Sequence, residues 1–246
     1  MPTLSVILIT LNEAERLATT LEAIAWADEI VVVDAGSTDG TVEIARRFTD
    51  KVVVTDDWPG FGPQKNRALD LATGEWVLSI DADERVTPEL AAEIRATLAS
   101  PRFAVYAIPR LSSFLGRPLR HGGWWPDHVA RLFRRGEARF SEDAVHERLV
   151  FTPPLGYLRQ PLQHESIRDL DQMIEKMNRY TRAGAERLER AGKRSSLKGA
   201  IGRGLWAFIR IYLLKRGFLD GREGLIMAIA SAESAYYKHL KRLYRP

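Results

Sequence analysis

Along the first hundred residues, short apolar runs alternate with stretches whose apolar residues recur at helical spacing. Residues 4–9 read as a β-rich run, and Leu17, Leu21 and Ile24 then mark one face of a helix with Asn12 as its N-cap. Residues 30–33 form a second apolar run. The turn-rich segment 34–41, with Gly36 and Gly40, opens a helix through Phe48. Residues 52–54 make a third strand, and Pro63 takes the first position of a short helix through Leu71. Residues 76–80 are the fourth strand and 88–98 a helix. This alternation predicts an α/β fold, a parallel sheet with helices on both faces. Ligands of such sheets bind at the carboxyl ends of the strands. Thr10 to Glu13, Asp34 and the Asp81/Asp83 pair all fall there.

The middle of the chain, residues 103–165, changes character. Residues 103–108, 129–133 and 148–151 read as short strands, and a Gly-, Trp- and Arg-rich loop region lies between them. We read it as the ligand-facing half of the same domain. The adjacent Trp124 and Trp125 either stack on a ligand or straddle a core. From Ser166 a long helix is expected, with Ser166 and Asp169 as its capping pair. Residues 192–204 read as a basic connector, 205–214 as apolar apart from Arg210, and 224–244 as a last helix. The domain reading is therefore 1–165 for the α/β part and 166–246 for a basic helical extension. Ten apolar residues fall short of the roughly 20 that cross a bilayer. A basic apolar helix can instead lie in the membrane interface, or pack on the core.

Composition narrows the classes. The chain has 246 residues, 45% of them hydrophobic, enough for a full core. The absence of Cys excludes disulfides, thiolate zinc sites and a cysteine nucleophile. Met1-Pro2-Thr3-Leu4 runs straight into the first strand without a basic leader, so no secretory signal is expected. The expected location is cytoplasmic, at the inner face of the cell membrane. Residues 1–100 hold 8 Lys/Arg against 18 Asp/Glu, a net −10, whereas residues 101–246 hold 28 against 14, a net +14. A basic C-terminal part suggests an anionic target such as a phosphorylated glycan or lipid head groups.

The chemistry concentrates where the fourth strand ends, at Ser79-Ile80-Asp81-Ala82-Asp83-Glu84. Residues i and i+2 of an extended segment point to one side, so Asp81 and Asp83 are expected to converge on one point. A hard divalent cation, Mg²⁺ or Mn²⁺, would relieve their repulsion and leave positions open to phosphate. An acid ending the second strand, Asp34, commonly accepts hydrogen bonds from ribose or base. Lys65 and Arg67 lie near the same edge and could meet phosphate charge. Together these residues suit a nucleoside diphosphate whose leaving charge must be neutralised, the requirement of sugar transfer from a nucleotide sugar.

Four motifs carry a family resemblance. Val6-Ile7-Leu8-Ile9-Thr10-Leu11-Asn12-Glu13, Val31-Val32-Val33-Asp34-Ala35-Gly36-Ser37-Thr38-Asp39-Gly40-Thr41, Gln64-Lys65-Asn66 and Asp81-Ala82-Asp83-Glu84 resemble the family 2 glycosyltransferases of GT-A fold. Trp125-Pro126-Asp127, Arg131-Leu132-Phe133-Arg134, Val145-His146-Glu147 and Gly217-Phe218-Leu219-Asp220-Gly221 resemble a bacterial subgroup that adds glucose or a similar sugar to the lipopolysaccharide inner core. The resemblance implies an inverting, metal-dependent transferase. It implies that Thr10, Asn12 and Glu13 border the nucleotide pocket, with Glu13 near the ribose, and that Asp34 reads the base, often uracil. Lys65 would lie near the nucleotide, Asp81 would approach ribose and metal, and Asp83 would ligate the metal directly. His164 stands where relatives place a histidine near metal or diphosphate, with His146 as the competing candidate.

Inversion by direct displacement needs a carboxylate to take the acceptor proton. Glu147 is the first candidate, Asp143 the second and Asp127 the third; an ion pair between Glu147 and Arg148 or Arg131 is the structural alternative. The expected partners are a nucleotide-sugar donor, a lipid-linked or lipopolysaccharide-type acceptor and an anionic membrane surface, with no nucleic acid. Two other classes compete. A nucleotidyltransferase would carry a Gly-rich phosphate loop after the first strand, where this chain has Thr10-Leu11-Asn12-Glu13. A non-catalytic module binding nucleic acid or anionic lipid would have no use for the acidic first hundred residues.

Overall fold

The computed structural model describes residues 2–142 and 147–245. The apolar runs become strands because their alternate residues serve two faces. In β1 (Leu4–Thr10), Val6 and Leu8 pack on one side of the sheet and Ile7 on the other. β2 (Glu29–Asp34), β3 (Val52–Val54) and β4 (Trp76–Ser79) join it in the order β3-β2-β1-β4, all parallel. Between them lie the helices α1 (Ala14–Glu22), α2 (Thr41–Ala45) and α3 (Phe61–Leu71), and α4 (Pro88–Ala99) follows. Leu17 and Leu21 of α1, with Leu90, Ile94 and Leu98 of α4, cover the Val6/Leu8 face. Ala68 and Leu69 of α3 cover the face of Ile7, Val31 and Val77. Each large side chain so buried contributes roughly 1.5–3 kcal/mol.

Beyond β4 the sheet becomes mostly antiparallel, with β11 parallel to β6. The later strands are β5 (Glu84–Val86), β6 (Val105–Phe114), β7 (Arg117–Pro118), β8 (Asp127–Arg134), β9 (Ala138–Phe140), β10 (Leu149–Phe151), β11 (Leu155–Tyr157) and β12 (Leu162–Ile167). The order continues β4-β8-β6-β12-β5, with β8 antiparallel to both β4 and β6 and β12 antiparallel to β5. β9 and β10 form a separate antiparallel pair. In α3, Gln64, Lys65 and Asn66 are all buried polar residues. The amide of Asn66 bonds both the carbonyl (2.9 Å) and the N–H (3.0 Å) of Phe140, tying β9 to the helix.

Two compact units divide the chain: residues 1–110 with 127–164, and residues 111–126 with 165–246. In the second, α5 (Leu170–Arg190) and α6 (Leu197–Phe208) both pack on α7 (Gly221–Leu243). A π-helical turn, Ile209–Leu214, and a 3-10 turn, Gly217–Asp220, link α6 to α7. Its small core holds Phe114, Leu119, Ile167 and Met227, with Trp124 packed against it. Trp125 stacks under the Arg120 guanidinium, 5.6 Å from its ring centroid. No helix among the described residues is long and apolar enough to cross a membrane.

Several local expectations change. Asn12 does not cap α1; Glu13 occupies that position, and Asn12 sits at φ 55 with its side chain tied to the 34–41 loop. The helix after that loop stops at Ala45 rather than Phe48, and the N–H groups of Arg47 and Phe48 bond three residues back, to Ile44 and Ala45, in a tighter turn. Pro63 is the third residue of α3 rather than the first. Asp169 alone caps α5, accepting from the Gln172 N–H (2.7 Å), and Ser166 belongs to β12. The expected connector becomes helical from Leu197, with Ser196 as N-cap.

At the amino ends of the parallel strands one carboxylate gathers four segments. Glu29 accepts from Ser5, Lys51 and both the N–H (2.8 Å) and hydroxyl (2.7 Å) of Thr73. Burial alone would raise its pKa, but these bonds hold it at about 2. A depressed carboxylate stabilises the fold above its ordinary value and loses that contribution as pH falls through the folded one. Thermal melts should therefore show Glu29→Gln below the wild type at pH 7. The gap should shrink from about pH 4.5 downward and close near pH 2; a gap independent of pH would contradict this assignment.

Candidate active site

The carboxyl ends of β1 and β2 lie side by side, with Thr10 and Asp34 in register. Asp34 is fully buried. Its carboxylate accepts from the Thr10 hydroxyl (2.8 Å), the Gly36 N–H (3.0 Å), and the N–H (2.7 Å) and hydroxyl (2.6 Å) of Ser37. Those four bonds fill the lone-pair positions a carboxylate offers. Gly36 and Gly40 take the left-handed conformations that let the loop turn. The loop is sewn to the start of α1: the Asn12 N–H donates to Ser37 (2.7 Å), the Thr38 N–H to the Asn12 side chain (2.9 Å), and the Glu13 N–H to Thr41 (2.8 Å).

At the end of β4 the chain turns instead of staying extended. The Glu84 N–H donates to the Asp81 carbonyl (2.9 Å), and the Thr20 hydroxyl anchors the Ala82 carbonyl (2.7 Å). The same-side rule for residues i and i+2 belongs to extended backbone and does not by itself apply to this turn; Asp81 and Asp83 have different ion-pair partners. Asp81 faces Lys65 (3.0 Å) and Arg131 (2.6 Å). Asp83 faces His164 Nε2 (3.5 Å) and Arg16 (3.7 Å), and Arg16 also pairs with Glu13 (2.7 Å).

Glu84, given no role of its own by sequence reasoning, is fully buried. One carboxylate oxygen accepts from the Asp81 N–H (2.9 Å) and the other from Arg131 (2.8 Å). Burial pushes its pKa up; Arg131 opposes the shift and the Asp81 charge adds to it. For Asp81, burial would also raise the pKa, but the Arg131 and Lys65 cations hold it well below the usual carboxylate range. The Arg131 guanidinium is almost wholly enclosed. Arg110 pairs with Asp127 (2.7 Å), which commits that carboxylate to an ion pair.

Glu147, just before β10, reaches the same place. Its carboxylate lies 3.2 Å from Lys65 Nζ, so one ammonium bridges Asp81 and Glu147. The cation that Glu147 pairs with is thus Lys65, not Arg131 or Arg148. A cavity of about 400 Å³ opens between them, walled by Lys65, Asp81, Arg110, Arg131, Glu147 and Arg148. A methyl group on Gly62 would lie 1.8 Å from the Ser141 carbonyl oxygen and 3.5 Å from the Glu147 Cβ, so α3 approaches this segment as closely as backbone allows. Arg67, expected near phosphate, is half-buried and paired with Asp57 (2.7 Å). Asp143 and His146 lie outside the described residues.

The chemistry of the donor set decides how a divalent cation would fit. Among the described residues no three His, Asp or Glu side chains are placed to enclose one together. Asp83 and His164 form a two-donor set with partly exposed side chains. Mg²⁺ and Mn²⁺ are commonly held by one or two protein ligands, with water and phosphate oxygens completing the shell. That pair fits such an ion; Asp81, expected beside it, is bonded to Lys65 and Arg131. Sequence motifs contained Glu84 and Arg131 but no sign that they meet, since Arg131 lies 50 residues beyond Asp81.

Comparison with known proteins bears on this arrangement. The model of the family described as Glycosyl transferase family 2 matches residues 5–163. The lipopolysaccharide core biosynthesis glycosyltransferase LpsC of Rhizobium meliloti is 30% identical over 257 residues, covering 96% of this chain and 93% of its own. An uncharacterized glycosyltransferase of Rickettsia typhi is 30% identical over 254 residues, covering 98% and 87%. Among solved structures, S. aureus TarS 1-349 in complex with UDP shares 19% identity at a TM-score of 0.52, over 99% of this chain and 93% of its own. The mannosyltransferase PcManGT of Pyrobaculum calidifontis, in complex with GDP-Man and Mn²⁺, also shares 19% identity at a TM-score of 0.52, over 95% and 74%. At that identity the likeness is one of fold.

Removing the buried cation tests the network. Arg131→Met leaves Asp81 and Glu84 without their shared partner and should destabilise the chain by about 3–5 kcal/mol, read from denaturant midpoints. Arg131→Lys keeps the charge but not the planar fork and should lose less. Unchanged midpoints in Arg131→Met would contradict the assignment.

Proposed function

The chain belongs to glycosyl transferase family 2, and on that premise we propose that it transfers a hexose, glucose or a similar sugar, from a uridine diphosphate sugar to a bacterial envelope glycan of lipopolysaccharide-core type. The observation that carries the reading is the bridge of Lys65 between Asp81 and Glu147 in one cavity at the carboxyl edge of the sheet. The R. meliloti relative, named for lipopolysaccharide core biosynthesis, supports the acceptor class. An acceptor of that kind, carried on lipid, places the enzyme in the cytoplasm at the inner face of the cell membrane.

The reaction is a single displacement with inversion. The acceptor hydroxyl oxygen attacks the anomeric carbon while the bond to the diphosphate oxygen breaks, and that electron pair leaves on the nucleoside diphosphate. Glu147 takes the acceptor proton as the new bond forms. Lys65 fixes both the Glu147 carboxylate and the β4 turn, so that base and donor site keep one spacing. Thr10, Asn12 and Glu13 wall the nucleotide pocket together with the 34–41 loop. Asp34 shapes that loop through its four hydrogen bonds and so sets the surface the uracil meets. A divalent cation, Mg²⁺ or Mn²⁺, held by Asp83 and His164 would neutralise charge on the leaving diphosphate.

Turnover of UDP-glucose and other nucleotide sugars with Mg²⁺ or Mn²⁺ tests the reading. Glu147→Gln should lower turnover about 10²–10⁴-fold and leave UDP affinity within about twofold, because a general base acts in the transition state. Asp83→Ala should lose both turnover and Mn²⁺ binding, the latter read by electron paramagnetic resonance. Asp143→Asn, assayed beside them, should retain most of the activity. If no nucleotide sugar binds or turns over with either metal, the reading fails.

A further inference from the structure

Residues 191–219 carry seven Lys/Arg and no Asp or Glu. The same stretch exposes large apolar side chains. α6 turns its small residues to α7: Ala200 is fully buried, and a Cβ on Gly204 would lie 3.1 Å from the Ala232 carbonyl oxygen and 3.4 Å from the Tyr236 Cβ. Beside that packed side, Leu197, Ile201 and Leu205 occupy roughly a quarter of the helix circumference. They are 49, 54 and 61% exposed, and Trp206 is 57% exposed. The apolar surface continues past the helix. Leu213 and Leu214 in the π-helical turn, and Phe218 and Leu219 in the 3-10 turn, are all exposed. Tyr212 joins the two ends, its ring 5.3 Å from Phe208 and 6.2 Å from Phe218.

Isolated exposed leucines need no explanation, but eight large apolar side chains on one short segment do. A second copy of the chain is a poor cover. A two-fold interface sets a patch against itself, and this patch would meet seven cations with seven cations and no carboxylate of its own to pair them. A surface that is apolar beneath and anionic on top answers both features. We propose that residues 197–219, with the cations flanking them, seat this chain on an anionic phospholipid surface. The apolar side chains enter the boundary between head groups and acyl chains, and the Lys and Arg residues meet lipid phosphate. The inference rests on this exposed face and not on the donor chemistry, so vesicle binding and turnover report on the two readings separately.

The test uses the full chain with vesicles of phosphatidylglycerol and phosphatidylethanolamine, against vesicles of phosphatidylcholine. Co-sedimentation should occur with the first and be weak with the second, and should weaken as salt is raised. Lys215→Gln combined with Arg216→Gln should reduce binding about 25-fold, a factor of roughly five for each surface cation. Leu205→Ser combined with Leu214→Ser should also reduce it. Equal binding to both vesicle types, no binding to either, or full binding by the Leu205/Leu214 double variant would overturn the proposal. So would a lipid-free dimer that the double leucine variant dissociates, because a second copy would then be the cover.

Discussion

The enclosed guanidinium of Arg131 is the constraint on which the site depends. It meets Asp81 and Glu84, two carboxylates from one turn, at 2.6 and 2.8 Å. Without it, the turn at the end of β4 would hold two adjacent negative charges in a low-dielectric setting, a state that costs several kcal/mol. The position of Arg131 follows from register. β8 runs antiparallel to β4 with Leu132 opposite Leu78, which carries Arg131 to the strand end where the turn begins. The junction between the parallel and antiparallel halves of the sheet is thus also where the acidic turn finds its counter-charge.

The turn then divides labour between its two aspartates. Asp81 looks toward Lys65 and, through that ammonium, toward Glu147. Asp83 meets His164 and the Glu13–Arg16 pair. Two carboxylates on one short segment therefore keep different partners. Asp34 follows a similar logic. Its buried carboxylate is consumed by four donors of its own loop and of β1, so rigidity of the loop is what it supplies.

Much of this was legible in sequence, for local reasons. β1, β2 and β4 and the helices α1 and α4 announce themselves because period-two burial and helical apolar spacing are short-range signals. Strand-end acids such as Asp34 and Asp81 could be placed on one edge once the alternation was read. The short strands β5, β9, β11 and β12 could not be read as such. They are three to six residues long and owe their form to partners far along the chain. Asn12 misled as a cap for a related reason: its side chain serves a loop 26 residues away rather than the helix beside it.

Local pattern and motif order were sufficient to decide the α/β architecture and the family, and to place the candidate site at one edge of the sheet, since each depends on residues close in sequence or on their succession. Tertiary structure alone decided which carboxylate meets which cation. Lys65 reaches Glu147 across 82 residues, and Arg131 reaches Asp81 across 50. Charge pairing acts over a few ångströms of space and is blind to separation along the chain. The turn at Asp81–Glu84 shows the point most directly: the same four letters would point both aspartates one way in a strand, and the folded chain points them at different partners.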